Sequence, residues 1–280
     1  MIPAERAHYY VVAKTDDGKE GKNNEDSFSV TAYKLSETDD TPVLFAIVAD
    51  GIGGRNAGEV AAGMAVEMIS EAVADSDASQ PAEIMQAAII QASKAIHALG
   101  VSEGQKKSMG TTCVCTWIVG DKLYIAYAGN SRLYMIRGKK MHQVTIDHTW
   151  VQEAVDAGAL TPAQARIHPN ANIIRRHLGD RKGIEVDLRL KLSPDDSNEK
   201  ALGNQGAQML PGDRLLLTTD GLTDLVDDTQ IYKLIAGNSI EEAAQKLIDA
   251  ANDQGGKDNI TIAIIEVPGA EKRVKLPFVS

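Results

Sequence analysis

Apolar positions along the chain come in short blocks that switch between strand and helix spacing, with no repeat of fixed period. Residues 9–13 form a short β-favouring run ended by Asp16-Asp17-Gly18, and β-type residues resume over 27–33. The polar stretch 36–41 reads as a hairpin loop into 43–49, a continuous apolar run of the kind a fully buried strand shows. That run stops at Asp50, followed by Gly51-Ile52-Gly53-Gly54. Helical spacing then takes over: 57–74 aligns Val60, Met64, Met68 and Val73. A second helix starts near Pro81 and carries Ile84, Ala88, Ile96 and Leu99. Past the polar loop 102–108, three β runs (111–119, 123–127, 132–137) are separated by Gly120-Asp121 and Gly138-Lys139, which suit hairpin turns.

The second half opens with a helical insertion. Residues 149–158 are helical, Thr161 caps another short helix with Pro162 at its first position, and 173–178 follows. The alternating run 184–192 predicts a half-buried strand, and the polar, Gly/Asn-containing 193–208 predicts a mobile loop. Residues 214–219 form another buried strand, ending at Asp220-Gly221. A helix over 240–252 leads through Gly255-Gly256 to Asp258 and a strand over 260–267; the tail from Pro268 is expected to be loose. Many hairpin-connected strands with paired helices favour an α+β layered architecture over a doubly wound parallel sheet.

Composition narrows the class. A chain of 280 residues buries roughly 75% of its unfolded surface and needs no disulfide or zinc staple. The only cysteines, Cys113 and Cys115, share one face of an apolar run and read as reduced packing residues, which points to the cytoplasm. A net charge of −10 argues against a nucleic-acid partner. No apolar stretch approaching the ~18 residues of a membrane helix stands out, and the first twenty residues lack signal-peptide features. The expectation is a cytoplasmic protein without a membrane segment.

Three places repeat one chemical idea. The buried runs ending at Asp50-Gly51 and Asp220-Gly221, and Asp258-Asn259 just before the run from Ile260, each set a carboxylate at a strand mouth, with glycine allowing close backbone approach. Asn24-Glu25-Asp26, before the strand near Ser27, is a fourth candidate. Two carboxylates about 5 Å apart repel by roughly 3 kcal/mol at an effective dielectric of 20, so such a cluster calls for hard cations or protons. Oxygen ligands without His or Cys select magnesium, manganese or calcium, and two such ions can activate water for in-line attack on phosphorus. Taken singly, each Asp-Gly is more often a plain turn. The Gly51–Gly54 run lacks the lysine of a nucleotide-binding phosphate loop.

In combination the segments resemble the protein phosphatase 2C family of metal-dependent serine/threonine phosphatases in its bacterial form. The likeness runs from about Tyr9 to Val267. It rests, in order, on Asn24-Glu25-Asp26-Ser27, Ala49-Asp50-Gly51-Ile52-Gly53-Gly54 with Gly58-Glu59, Met109-Gly110-Thr111-Thr112, and Ala128-Gly129-Asn130-Ser131-Arg132. Asp147-His148-Thr149-Trp150, His168-Pro169 with Asn172, Pro211-Gly212-Asp213-Arg214, Thr219-Asp220-Gly221-Leu222-Thr223-Asp224 and Gly256-Lys257-Asp258-Asn259-Ile260-Thr261 complete it. The resemblance implies one phosphatase domain over 8–267, a four-layer α-β-β-α sandwich of two antiparallel sheets flanked by helix pairs, with a small helical flap over about 149–180 and a tail over 268–280. It also implies two Mn2+ or Mg2+ ions: Asp50, Asp220 and Asp258 are catalytic and hold the first, and Asp50 is shared with the second near Glu25 and the Gly51 carbonyl. A looser third ion would involve Asn130. Phosphoserine and phosphothreonine proteins are the implied substrates, a serine/threonine kinase the implied counterpart, and a monomer the expected state.

Two positions depart from the family pattern. The arginine that binds substrate phosphate, three residues before the asparagine of Asn-Glu-Asp, is here Gly21, leaving Lys22 or Arg55 as candidate phosphate partners. The aspartate of Gly-Asp-Ser-Arg is here Asn130, which keeps a carbonyl but loses the charge. These departures raise an alternative, a catalytically weakened module that binds phosphoprotein. His8, His97 and His142 read as surface or packing residues, and His148 and His168, at the flap boundary, as hydrogen-bonding ones.

Overall fold

The computed structural model describes residues 1–21, 23–53, 57–102 and 109–269. Its first half comprises β1 (Ile2–Pro3), β2 (Tyr10–Asp16), β3 (Asp26–Lys34), β4 (Pro42–Ile52), α1 (Ala57–Ala74), α2 (Pro81–Ser102), β5 (Gly110–Thr111), β6 (Cys113–Val119) and β7 (Lys122–Ala128). Next come β8 (Arg132–Arg137), β9 (Lys140–Gln143), α3 (Trp150–Asp156), α4 (Pro162–Arg166), α5 (Asn198–Gly203) and β10 (Ala207–Gln208). The chain continues through β11 (Arg214–Thr218), α6 (Asp220–Thr223), α7 (Asp228–Ala236), α8 (Ile240–Asp253) and β12 (Ile260–Glu266). Residues 2–3 already pair with β3. The expected tail lies outside the described residues from Ala270 on.

The strands form two antiparallel sheets. One runs β1-β3-β4-β6-β7-β10 with β5 against the end of β4; the other runs β2-β12-β11-β8-β9. Strand β4 is apolar at every position over 43–49 because both of its faces are buried. Phe45 and Ile47 point to α1 and α2, joining Trp117, Ile69, Met85 and Ile89. Leu44, Ala46 and Val48 point inward to the second sheet, packing with Leu215, Leu217 and Ile265. On the far side Leu216, Ile262 and Ile264 meet α7 and α8 through Ile231 and Leu247. The order is helices, sheet, sheet, helices, the expected four layers. Cys113 and Cys115 are buried and unbridged beneath α1 and α2.

Several elements differ from their sequence reading, each for a local reason. On α1 the buried face is Ala61, Ala62, Ala65, Val66, Ile69 and Val73, while Val60 is exposed: small alanines let the helix sit close to the sheet. Helix α2 is 22 residues long and apolar enough by length and composition to cross a bilayer, contrary to the sequence reading, yet it buries Met85, Ile89 and Ile96 in the core. Residues 173–178 are extended rather than helical. They are pinned by antiparallel bridges of Ile174 to Thr149 and Leu178 to Thr111, the latter with a Leu178 N–H···O Thr111 bond of 2.8 Å.

The 184–192 run makes only one bridge, Asp187 to Tyr127. A longer ladder is interrupted because the Gln205 side chain occupies the edge of β7, accepting from Ile125 N–H at 3.0 Å and donating to the Ile125 carbonyl at 2.8 Å and the Leu188 carbonyl at 2.6 Å. The expected mobile loop 193–208 is instead ordered into α5 and β10. Ser197 caps α5 at the Lys200 N–H, the Asp196 carboxylate takes the N–H groups of Leu192 and Ser193, and Ala201 is fully buried.

Candidate active site

The acidic residues converge because their strands end at the same edge of the sandwich. Asp26 opens β3 directly opposite Asp50 of β4, so the two belong to the first sheet. In the second sheet, Thr219 follows β11 as the N-cap of α6, whose first residue is Asp220, and Asp258 lies in the turn before β12. The sheets are stitched here by Thr219: its hydroxyl donates to Asp26 Oδ2 at 2.9 Å and accepts the Thr261 N–H at 3.0 Å. Glycine permits the approach. A Cβ on Gly51 would stand 2.5 Å from the Glu25 carbonyl, and one on Gly221 2.0 Å from that of Asn259. Gly221→Ala is therefore expected to displace the Asp220 turn and destabilise the fold by about 3 kcal/mol, the scale of an overpacked core, read as a lower urea midpoint; an unchanged midpoint would refute the contact.

Strong mutual electrostatics follow from that convergence. Asp50 and Asp220 are hydrogen-bonded to each other through their carboxyl groups. Burial, then repulsion from Asp220, Asp26 and Asp258, pushes Asp50 well above the carboxylate range. Burial also raises Asp220 to about 7, with Asp224 and Asp258 adding to it, and raises Asp26 to about 7 against the opposing Thr261 and Thr219 hydrogen bonds. Asp258 is exposed at the mouth, its Oδ1 accepting the Asn259 N–H at 3.0 Å.

Amides and hydroxyls brace the acids. Asn130, 6% exposed, donates Nδ2–H to Asp220 Oδ2 at 2.7 Å, while its buried Oδ1 has no hydrogen-bond partner. Thr112 Oγ1 accepts the Asp50 N–H at 3.1 Å and pairs with the Ser131 hydroxyl at 2.6 Å. Asn259 Oδ1 accepts the Glu25 N–H at 2.9 Å, and Glu25 Oε2 sits only 2.7 Å from where a Gly58 Cβ would be.

This donor set fits hard cations. It is all oxygen, its buried carboxylates repel one another, and the Asn130 carbonyl is an unpaired acceptor beside Asp220. Among the described residues no three His, Cys, Asp or Glu side chains stand close enough to grip one ion as they are, so a first ion on Asp50, Asp220 and Asp258 would have to draw these side chains together.

Asn130, Asp220, Asp224 and Asp258 form one wall of a cleft of about 660 Å³, and Thr149, Gln152, Arg166 and Asn172 of the helical insertion form the other. The insertion thus stands beside the acids, with Asn172 and Asp224 both lining the cleft. Residues 16–260 match the description "Protein phosphatase 2C".

The chain belongs to the protein phosphatase 2C family.

Within it, the chain is 32% identical over 258 residues to protein phosphatase PhpP of Streptococcus pneumoniae serotype 2, covering 90% of this chain and 95% of that one. The Streptococcus agalactiae serine/threonine phosphatase structure superposes with a TM-score of 0.78 at 32% identity, over 92% of this chain and 99% of the other. A catalytic domain of the serine/threonine phosphatase PstP, solved in complex with two manganese ions, gives 0.73 at 30% identity, over 93% and 98%.

At the first departure from the protein phosphatase 2C pattern, Gly21 has φ +67°, and no atom stands within 4 Å of where its Cβ would be. An arginine would find space there but only in a backbone conformation L-residues disfavour. Lys22 and Arg55 lie outside the described residues. Sequence reasoning places Asp26 only within the candidate segment Asn24-Glu25-Asp26, taking Glu25 as its ligand, and does not single out Asp224 as a member of the acid cluster. Pairing the two strands around the 36–41 hairpin would find Asp26, because it places that residue opposite Asp50. Asp224 stands one helical turn from Asp220, a signal hidden because 214–219 reads as a strand with a turn after it rather than as the approach to a helix.

Proposed function

We propose that this chain is a metal-dependent protein serine/threonine phosphatase, hydrolysing phosphoserine and phosphothreonine in proteins. The observation that carries the reading is the meeting of Asp26, Asp50, Asp220 and Asp258 from two sheets at one edge of the sandwich, where burial and mutual repulsion raise Asp26, Asp50 and Asp220. Asp50, Asp220 and Asp258 would hold the first manganese or magnesium ion, and Asp50 would be shared with a second beside Glu25 and the Gly51 carbonyl. When bound, the two ions supply an activated water and stabilise charge on the phosphoryl group.

The chain's own residues position this chemistry. Asn130 orients Asp220, Thr112 fixes the Asp50 backbone, and Asn259 fixes that of Glu25. Lys22 and Arg55 are the proposed phosphate partners in place of the family arginine. Asn130 offers a carbonyl to a loosely bound third ion. The same reading takes 8–267 as one phosphatase domain, monomeric and cytoplasmic, opposing a serine/threonine kinase in signalling; the net charge of −10 argues against a nucleic-acid partner.

Hydrolysis of p-nitrophenyl phosphate and a phosphothreonine peptide, with and without manganese, tests the reading. Metal-dependent release of phosphate from both is expected. Gly21 and Asn130 favour a second reading, a weakened phosphoprotein-binding module. Peptide binding with metal bound but no phosphate release from either substrate would sink the enzyme and leave the module.

A further inference from the structure

His148 sits between the flap and the acid cluster, and every polar atom it offers is committed. Its backbone N–H donates to the Gly129 carbonyl at 2.9 Å, and its ring Nδ1 faces the Gly129 N–H at 3.1 Å. One residue therefore holds both hydrogen-bonding groups of Gly129. The backbone N–H can only donate, so Nδ1 must carry the lone pair and Nε2 the proton. Nε2 lies 3.1 Å from Asp187 Oδ2, the acceptor this tautomer requires.

Asp187 is itself fixed. The Arg189 guanidinium and backbone N–H bond to it, and its backbone bridges to Tyr127. Burial pushes the Asp187 carboxyl up, but the His148 and Arg189 hydrogen bonds outweigh this and hold it well below the usual range. The Tyr127 ring stacks on the imidazole at 5.3 Å and 6°, and its hydroxyl accepts the Ile146 N–H at 3.1 Å. His148 and Asp187 are each 5% exposed and Tyr127 is fully buried, so water does not compete.

Gly129 is pinned from the other side as well. It has φ +113°, and a Cβ would stand 2.5 Å from Thr112 Cβ, the residue that holds Asp50. The next residue is Asn130, whose Nδ2 reaches Asp220. The residue after His148 is Thr149, which caps α3, the first helix of the flap.

We propose that His148 is a positioning residue: through its Nδ1 acceptor it clamps the Gly129 peptide and so aims Asn130 at Asp220, with Asp187 fixing the tautomer and Tyr127 the ring plane. The inference rests on Asn130 and Asp220 belonging to the catalytic cleft. It assigns no proton transfer to His148, which touches neither the cleft acids nor substrate. It also joins the start of the flap at Thr149 to the acid cluster through one side chain.

Two substitutions separate the two ring nitrogens. In His148→Asn the side-chain oxygen can take the place of Nδ1 and accept from Gly129, whereas His148→Gln offers its amide near the Nε2 position and serves only Asp187. Both remove the Tyr127 stack, so a merely structural role predicts equal damage. The clamp predicts that Gln lowers kcat for p-nitrophenyl phosphate by about 10-fold, the lower end of the range for disturbing a partner behind a metal ligand. Asn should stay within about 3-fold of wild type on the same scale.

Two readouts on metal-free protein are independent of turnover. The 15N shifts of His148 should show the Nε2–H tautomer, and Gly129 amide exchange should be protected in wild type and Asn but not in Gln. An Nδ1–H tautomer, equal losses in the two variants, or Gly129 protection unchanged in Gln would overturn the clamp. Wild-type protein without any phosphatase activity would instead refute the enzymatic reading, while the tautomer and exchange results would still decide the clamp.

Discussion

Replacing Asp50 by asparagine is expected to cost on the order of 10²–10³-fold or more in phosphatase turnover, the scale of removing one preorganised charge-stabilising group, while making the metal-free protein more stable. The two effects have one cause. Asp50 is hydrogen-bonded to Asp220 and repelled by Asp220, Asp26 and Asp258 in a buried setting. An amide keeps a donor for Asp220 and removes the charge. The gain should be about 0.5–2 kcal/mol, typical when a site strained for function is relaxed. In a chain of this size it would be read as a melting-temperature rise of about 2–4 °C per kcal/mol.

The same charges set a pH dependence. Asp26 and Asp220 have folded values of about 7 against an ordinary value of 3.8. The folded state therefore holds protons that the unfolded chain has already released across that window. The stability these groups contribute is complete below 3.8 and is lost as pH rises through about 7. Metal-free wild-type protein should melt lower at pH 8 than at pH 5, and manganese should restore the loss. Asp50→Asn should flatten the pH dependence and blunt the manganese effect. Turnover within tenfold of wild type, or a lowered metal-free melting temperature, would contradict the role given to Asp50.

Asn130→Asp carries the second large effect, and its sign depends on metal. In the present chain Asn130 Nδ2 donates to Asp220 Oδ2 at 2.7 Å. A carboxylate there removes that donor and sets two like charges face to face, worth up to about 4 kcal/mol at 4 Å and an effective dielectric of 20. The metal-free variant should melt on the order of 10 °C lower, unless a proton is taken up between the pair. With manganese the order should reverse. The added charge would strengthen the site that the Asn130 carbonyl now offers, lower the manganese concentration needed for half-maximal rate, and raise turnover on the order of 10-fold, equivalent to about 1.4 kcal/mol of transition-state stabilisation. Unchanged activity and metal dependence, measured alongside calorimetry of the metal-free protein, would remove Asn130 from the site.

Features set by local patterning were legible in the sequence: the doubly buried β4, the capped helices of the flap, and the carboxylates at strand mouths. Their gathering at one edge was not written in any local pattern, because it depends on β3, β4, β11 and β12 ending together across two sheets. The layered order and the flap came from the ordered set of family segments rather than from periodicity. What misled was of two kinds. Alanines on α1 carry the packing that larger Val60 suggested for another face. In 184–208 side chains replace backbone pairing: Gln205 fills the edge of β7, and Asp196 and Ser197 cap what composition alone marks as a loose segment.

The pairing of β2 with β12 has a consequence for when activity can arise. Asp16 is opposite Ile260 and Tyr10 opposite Glu266, so β2 docks on a strand made some 250 positions later, and β12 also separates β2 from β11. During synthesis the first sheet, apart from its edge strand β10, can assemble from residues before 130, but the second waits for β12, the slow long-range closure of the fold. Thr219 and Thr261, which tie Asp26 to the second sheet, lie on that late-arriving part. A nascent or C-terminally clipped chain therefore holds Asp26 and Asp50 without the partners that complete the cleft. Phosphatase activity is therefore expected only once the full topology has closed.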